Sequence, residues 1–257
     1  MTAQRTWRTV GVSSQGTSHL KTGDPCQDAH DFRVLSCGTL VVAVADGAGT
    51  ARLAEIGASL AVKTVLESVC SELEVTTGAR TDAEWQALLT NAVTGSLRIL
   101  EEEATARDAA LRDFACTLAI AVVRPGEQVA ALQIGDGAVV AQEEDGEVFV
   151  VTRPAPSEYL NETTFLVSPG AVDGASFVVR HGDIARLAAL TDGLQMLALR
   201  MPDGDPHPGF FDPLFRFVAA EKDPESAKVS LQAFLNSSRV RERADDDLTL
   251  FLAACNP

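Results

Sequence analysis

The chain of 257 residues carries 36 acidic against 21 basic side chains, a formal net charge of −15, with 46% hydrophobic and 22% charged residues. That balance describes a folded globular chain, not a disordered one, and its long-range field has the wrong sign for nucleic-acid phosphates or anionic lipid. No apolar run approaches the ~20 residues of a membrane span, residues 1–7 lack the apolar core of a signal peptide, and the five cysteines (Cys26, Cys37, Cys70, Cys116 and Cys255) are scattered, odd in number and without a C-x-x-C pair. The expectation is a cytoplasmic protein with reduced thiols, partnered by neither nucleic acid nor membrane.

In chain order, Trp7–Ser13 alternates as a strand and Ser14–Pro25 reads as a loop. Asp31–Leu35 and Leu40–Ala45 form a hairpin across Ser36-Cys37-Gly38-Thr39. Two helices follow. Leu53, Ile56, Gly57, Leu60, Thr64, Leu66 and Val69 keep a 3.6-residue period, as do Leu88, Leu89, Ala92, Val93, Leu97 and Leu100 behind a Thr81 N-cap with Glu84 three places on. Four short strands come next, Cys116–Val123, Val129–Ile134, Ala138–Gln142 and Val148–Thr152, on connections so short that they join only antiparallel neighbours. Further strands are expected at Phe165–Val167, Ala175–Val179, Ala185–Leu190 and Leu248–Ala253, with helices at Leu194–Arg200, Phe211–Glu221 and Pro224–Leu235. No repeat or linker divides the chain, so residues 1–257 read as a single α+β domain with sheets in the middle and helices outside.

The aspartates are not scattered evenly. Asp46 closes Leu40–Ala45 and precedes Gly47; Asp136 sits between Gly135 and Gly137; Asp192 closes Ala188–Thr191 and precedes Gly193. Asp246 stands just before Leu248–Phe251, and Asp28 just before Asp31. A strand fixes the direction of its terminal carboxylate, and glycine lets the backbone turn sharply toward an ion. Each Asp-Gly taken alone is an ordinary turn signal; the ordered series is what points to a site. Carboxylates converging there would repel one another unless a cation neutralised them, and hard Mg²⁺ or Mn²⁺ suits an all-oxygen set. Other chemistries lack their signatures. There is no G-x-S-x-G elbow and no H-E-x-x-H, and the Asp245-Asp246-Asp247-Leu248-Thr249 string has a charged stretch before it and too little chain after it for a haloacid dehalogenase-type site.

Read in order, Pro25-Cys26-Gln27-Asp28-Ala29, Val44-Ala45-Asp46-Gly47, Gln133-Ile134-Gly135-Asp136-Gly137, Leu190-Thr191-Asp192-Gly193-Leu194 and Asp246-Asp247-Leu248-Thr249-Leu250 resemble the PPM family, the metal-dependent type 2C protein serine/threonine phosphatases. The resemblance implies a four-layer αββα sandwich of two antiparallel sheets flanked by helices. It implies Asp46 bridging two Mn²⁺ or Mg²⁺ ions with the Gly47 carbonyl as a further ligand, Asp192 and Asp246 on the first ion, Asp28 orienting the attacking water, and Asp136 with Asp192 holding a third ion. The implied reaction is in-line attack of a metal-bridging water or hydroxide on phosphoserine or phosphothreonine in a protein that a serine/threonine kinase has modified. The chain departs from the family at four places. Gln27 stands where many members have Glu. Ala48 replaces a His that serves as a candidate general acid. The phosphate-gripping Arg is missing, leaving Lys21 or His19 for that role. The segment around Asn161 takes the place of a longer flap, with Asn161 a substrate-binding candidate. A second reading, a phosphatase-like module that binds phosphoproteins with little turnover, leaves so repulsive a cluster without a purpose.

Overall fold

The computed structural model describes residues 5–76, 78–144, 146–153 and 163–256. Its elements run β1 (Thr6–Ser14), α1 (Thr17–Thr22), β2 (Ala29–Val34), β3 (Leu40–Ala45), α2 (Ala54–Val75), α3 (Asp82–Ala106), β4 (Leu118–Arg124), β5 (Gln128–Ile134), β6 (Ala138–Glu143), β7 (Val148–Thr152), β8 (Ser176–His181), β9 (Ile184–Leu190), α4 (Gln195–Ala198), β10 (Leu199–Arg200), β11 (Asp205–Pro206), α5 (Pro208–Ala220), α6 (Pro224–Leu235), α7 (Ser238–Arg241) and β12 (Leu248–Asn256).

Two five-stranded antiparallel sheets, ordered β1-β12-β9-β6-β7 and β2-β3-β4-β5-β8, form the middle of the molecule. β3 shows why the apolar runs do not alternate. Val41, Ala43 and Ala45 pack under α2 and α3, whereas Leu40, Val42 and Val44 pack against Val139, Leu187, Ala189 and Phe251 of the other sheet. Both faces are buried, so every position in the strand is apolar. On the far side, Val10, Val12, Leu250 and Leu252 meet Phe211, Phe215 and Leu231 of α5 and α6. The order is helix, sheet, sheet, helix, as the resemblance implies.

α3 begins where the sequence places it: the Thr81 hydroxyl accepts the Glu84 N–H, and the Glu84 carboxylate accepts the Thr81 N–H in return.

Four local expectations are corrected. The stretch Ser14–Pro25, expected to be a loop, contains α1. Gly16 fits tightly against the backbone of Asp246, and Gly23, at φ 81, closes the helix by donating to the His19 carbonyl. Phe165–Val167 is not a strand; Leu166 is buried and donates to the Cys116 carbonyl inside a series of turns. The helix expected over Leu194–Arg200 stops at Ala198, whose carbonyl accepts the His207 N–H, and Leu199–Arg200 pairs instead with Asp205–Pro206. The short link Gly135-Asp136-Gly137 does not join antiparallel neighbours. β5 lies in one sheet and β6 in the other, so this link crosses between the two layers, with Gly135 at φ 99. Stacked sheets lie ~10 Å apart, a gap that three residues span, so a short connection does not by itself require a shared hydrogen-bond ladder.

Candidate metal centre

The crossing at Asp136 matters because it carries a carboxylate to the seam between the sheets. Asp46 arrives at the same place from the end of β3, in the other layer. Thr117 pins it twice: the Asp46 N–H donates to Thr117 Oγ1 at 2.9 Å, and the Thr117 N–H donates to the Asp46 carbonyl at 2.7 Å. Asp192 arrives from the end of β9, at the start of a 3₁₀ turn. Oxygens of Asp46, Asp136 and Asp192 lie within 4.8 Å of one another. Asp28, itself buried, stands just before β2, where its Oδ2 accepts the Thr191 hydroxyl at 2.7 Å.

Glycine is required at two of these strand ends. A Cβ on Gly47 would stand 2.8 Å from the Gln27 carbonyl and 2.9 Å from Ala54 Cβ, and one on Gly193 would stand 2.2 Å from the Asp247 carbonyl. The close approach of neighbouring backbone thus underlies the Asp-Gly pairs that the sequence presents as turns.

The electrostatics are those of a cluster of mutually repelling, desolvated carboxylates. Burial pushes the Asp28 carboxyl up to about 7, against the stabilising Thr191 hydroxyl. Burial, then the charge of Asp136 and Asp246, pushes Asp192 up to about 6. Asp46 is driven upward most, by burial and then by Asp28, Asp192 and Asp246. Each charge disfavours its neighbours' ionisation, so the cluster favours a bound proton or cation. Two buried oxygens, Asp28 Oδ1 and Asp136 Oδ1, have no hydrogen-bond partner among the described residues. Orphaned carboxylate oxygens in an all-oxygen set fit a hard divalent cation such as Mg²⁺ or Mn²⁺.

The other residues singled out in the sequence fall as follows. Asp246 is exposed and stands outside the close triplet. Its Oδ1 accepts the Asp247 N–H at 2.8 Å, yet its charge is felt by both Asp46 and Asp192. Lys21 is exposed on α1. His19 Nδ1 lies 2.9 Å from Asp247 Oδ2. Asn161 lies outside the described residues. Burial, with the charges of Asp247 and Asp28, pushes the Cys26 thiol up to about 12, away from thiolate character.

Several supporting residues are not singled out by the sequence reading. Asp247, not Asp246, is the buried member of the acidic triplet at 245–247. Its oxygens accept the Gly16 N–H at 2.5 Å and the Gln27 N–H at 2.6 Å, tying β12 to the loop before Asp28. Gln133 Nε2 donates to the carbonyls of Gly135 and Gly137 and so braces the crossing on both sides of Asp136. Thr163 donates to Asp136 Oδ2 at 2.7 Å, and the Gln195 amide donates to the Asp136 carbonyl. The only sequence signal for Gln133 and Thr191 is their place in the strings that contain Asp136 and Asp192.

The profile of the protein phosphatase 2C family matches residues 15–236. The chain is 37% identical over 253 residues to serine/threonine-protein phosphatase 3 of Escherichia coli K12, covering 96% of this chain and 98% of that protein. Among solved structures it superposes on the serine/threonine phosphatase Stp1 of Staphylococcus aureus with a TM-score of 0.64, at 14% identity and covering 97% and 95% of the two chains. It superposes on the catalytic domain of the serine/threonine protein phosphatase PstP, solved with two manganese ions, with a TM-score of 0.62, at 14% identity and covering 98% and 100%. The structural likenesses establish the fold; the profile match and the 37% identity establish kinship, and the chain belongs to the protein phosphatase 2C family.

Proposed function

We infer that this chain is a metal-dependent protein serine/threonine phosphatase, a phosphoric monoester hydrolase acting on phosphoserine and phosphothreonine. The observation that carries the reading is the convergence of Asp46, Asp136 and Asp192 within 4.8 Å, beside the unpartnered buried oxygens of Asp28 and Asp136. Asp46, the Gly47 carbonyl, Asp192 and Asp246 are proposed to hold two divalent ions, and Asp136 with Asp192 a third. When bound, such ions supply acidification of a water and neutralisation of the phosphoryl oxygens. The residues do the rest. Asp28, locked by the Thr191 hydroxyl, accepts a hydrogen bond from the attacking water and holds it in line with the ester bond. Thr117 fixes the direction of Asp46 through its backbone. Lys21 on exposed α1 is proposed to meet the substrate phosphate as a point charge.

The substrate is a phosphorylated protein, and we propose that the enzyme opposes a serine/threonine kinase. The net charge of −15 supports a partner list without nucleic acid or membrane. Among the described residues no helix is long and apolar enough to cross a bilayer. The five free cysteines support a reducing, cytoplasmic setting. The test is hydrolysis of p-nitrophenyl phosphate and of a phosphothreonine peptide with Mn²⁺, with EDTA, and with Asp46→Asn. Turnover is expected only for the unaltered chain with the ion. Turnover that persists in EDTA sinks the reading.

A further inference from the structure

We propose that His19, backed by the Asp247 carboxylate, is the proton donor to the serine or threonine oxygen as it leaves phosphorus. The proposal rests on the phosphatase reading above and assigns a catalytic residue to it. A serine alkoxide is a poor leaving group and needs a proton as its bond to phosphorus breaks. Position 48 offers none: Ala48 is 6% exposed and packs with Ala51, Ala54 and Ala115.

The molecule holds an imidazole–carboxylate pair beside the candidate metal centre. α1 lies against the segment that supplies Asp246: the Ser18 N–H donates to the Asp245 carbonyl at 2.9 Å, and a Cβ on Gly16 would come 2.4 Å from the Asp246 carbonyl carbon. This seating places His19 Nδ1 2.9 Å from Asp247 Oδ2, at ion-pair distance though angled off a straight hydrogen bond. Asp247 is itself held in place, with a side chain 1% exposed and both oxygens engaged by the amides of Gly16 and Gln27. It is the chain neighbour of Asp246, and its partner Gln27 is the neighbour of Asp28. The ring is therefore anchored one residue away from two carboxylates of the site.

With Nδ1 turned onto a carboxylate, the nitrogen left for substrate is Nε2. Nε2 has no hydrogen-bond partner among the described residues and is not sealed from solvent. In the proposed step the attacking water forms its bond to phosphorus while the bond from phosphorus to the serine oxygen breaks. The electron pair of the broken bond stays on that oxygen, which takes the Nε2 proton. One proton of the attacking water leaves to solvent and the other stays on the phosphate, and the imidazole recovers its proton from solvent. The products are the alcohol and hydrogen phosphate.

Leaving-group dependence tests this and separates it from a role in gripping phosphate. p-Nitrophenolate leaves without a proton, whereas an alkoxide does not. The unaltered enzyme and His19→Gln are compared, with Mn²⁺, on p-nitrophenyl phosphate, phenyl phosphate and a phosphothreonine peptide. The expected result is a loss of kcat for the peptide at least ~30-fold greater than for p-nitrophenyl phosphate, within the ~10²–10⁴ range of general acid catalysis. Equal losses on all three substrates, or none, overturn the proposal; equal losses are the signature of a phosphate ligand. Thermal midpoints with and without Mn²⁺ establish that the variant folds and loads. If it does not, the unaltered enzyme still decides: across a series of aryl phosphates a donor makes the rate depend only weakly on leaving-group pKa, and a steep dependence overturns the proposal. No turnover of any substrate by the unaltered enzyme with Mn²⁺ removes the phosphatase reading and this proposal together.

Discussion

Asp46 is the side chain on which the strongest opposing forces act. Three acidic neighbours and burial all disfavour its charge, and its backbone is pinned by Thr117 so that it cannot turn away. Asp46→Asn is therefore expected to remove Mn²⁺-dependent turnover by at least ~10³-fold while leaving the metal-free protein as stable as before or more so, a pattern of functional strain; denaturant midpoints in EDTA, set beside activity, check both halves. The pH dependence follows from the same carboxylates. In the metal-free protein Asp28 and Asp192 hold protons more tightly when folded, at about 7 and about 6, than the ordinary aspartate value of ~3.9 in the unfolded chain. The folded state then binds more protons than the unfolded state above pH ~4, so stability is full below that value and is lost as pH rises toward 6 and 7. Unfolding midpoints in EDTA at pH 5, 6 and 7.5 are expected to fall in that order, and saturating Mn²⁺ to flatten the trend. A midpoint that rises across the series would contradict it.

The connections between elements carry as much of the site as the strands do. The crossing from β5 to β6 is held by Gln133, which donates to the carbonyls on either side of Asp136 and accepts the Thr152 hydroxyl at 2.5 Å. Gln133→Leu keeps the volume but leaves buried carbonyls unpaired; it is expected to cost ~1–3 kcal/mol of stability and to weaken Mn²⁺ affinity through Asp136, read by denaturation and by metal titration. α2 offers a second case in which two magnitudes compete. Alanine is favoured over glycine in a helix by ~1 kcal/mol, yet a Cβ on Gly57 would lie 2.3 Å from the Phe114 carbonyl oxygen. The oxygen belongs to backbone and cannot swing aside, so Gly57→Ala is expected to lower the melting point despite its better propensity. The paired capping contacts of Thr81 and Glu84 were legible from spacing alone, because both partners lie within one turn. The place of Gly57 on the helical period was legible too, but the contact that demands glycine there was not, because Phe114 is 57 residues away.

Across the whole molecule, the charge of −15 has two parts. One part is gathered at the seam, where Asp28, Asp46, Asp136 and Asp192 converge; the rest coats the surface. The coat is expected to favour phosphopeptides with basic flanks over those with acidic flanks, with the ratio of kcat/KM shrinking as salt shortens the Debye length from ~10 Å at 0.1 M to ~3 Å at 1 M. A ratio unchanged by salt would count against long-range steering.

What the sequence determined by itself was local. Apolar period, the Thr81 cap and the Asp-Gly pairs at strand ends are written within windows of ten to twenty residues, where neighbours in the chain are neighbours in space. The ordered aspartates of this chain therefore pointed to a cation site before any strand was paired. Tertiary structure decided which sheet each strand joined, that β5 and β6 part company at Asp136, and that Asp247, not Asp245 or Asp246, is the buried anchor of His19. Those outcomes turn on contacts between segments far apart in the chain, from Val139 with Ala189 to Asp247 with Gly16 and Gln27. The physical reason is that stacking two sheets fixes which strand ends share a seam, and no local pattern records which distant residue will stand across it.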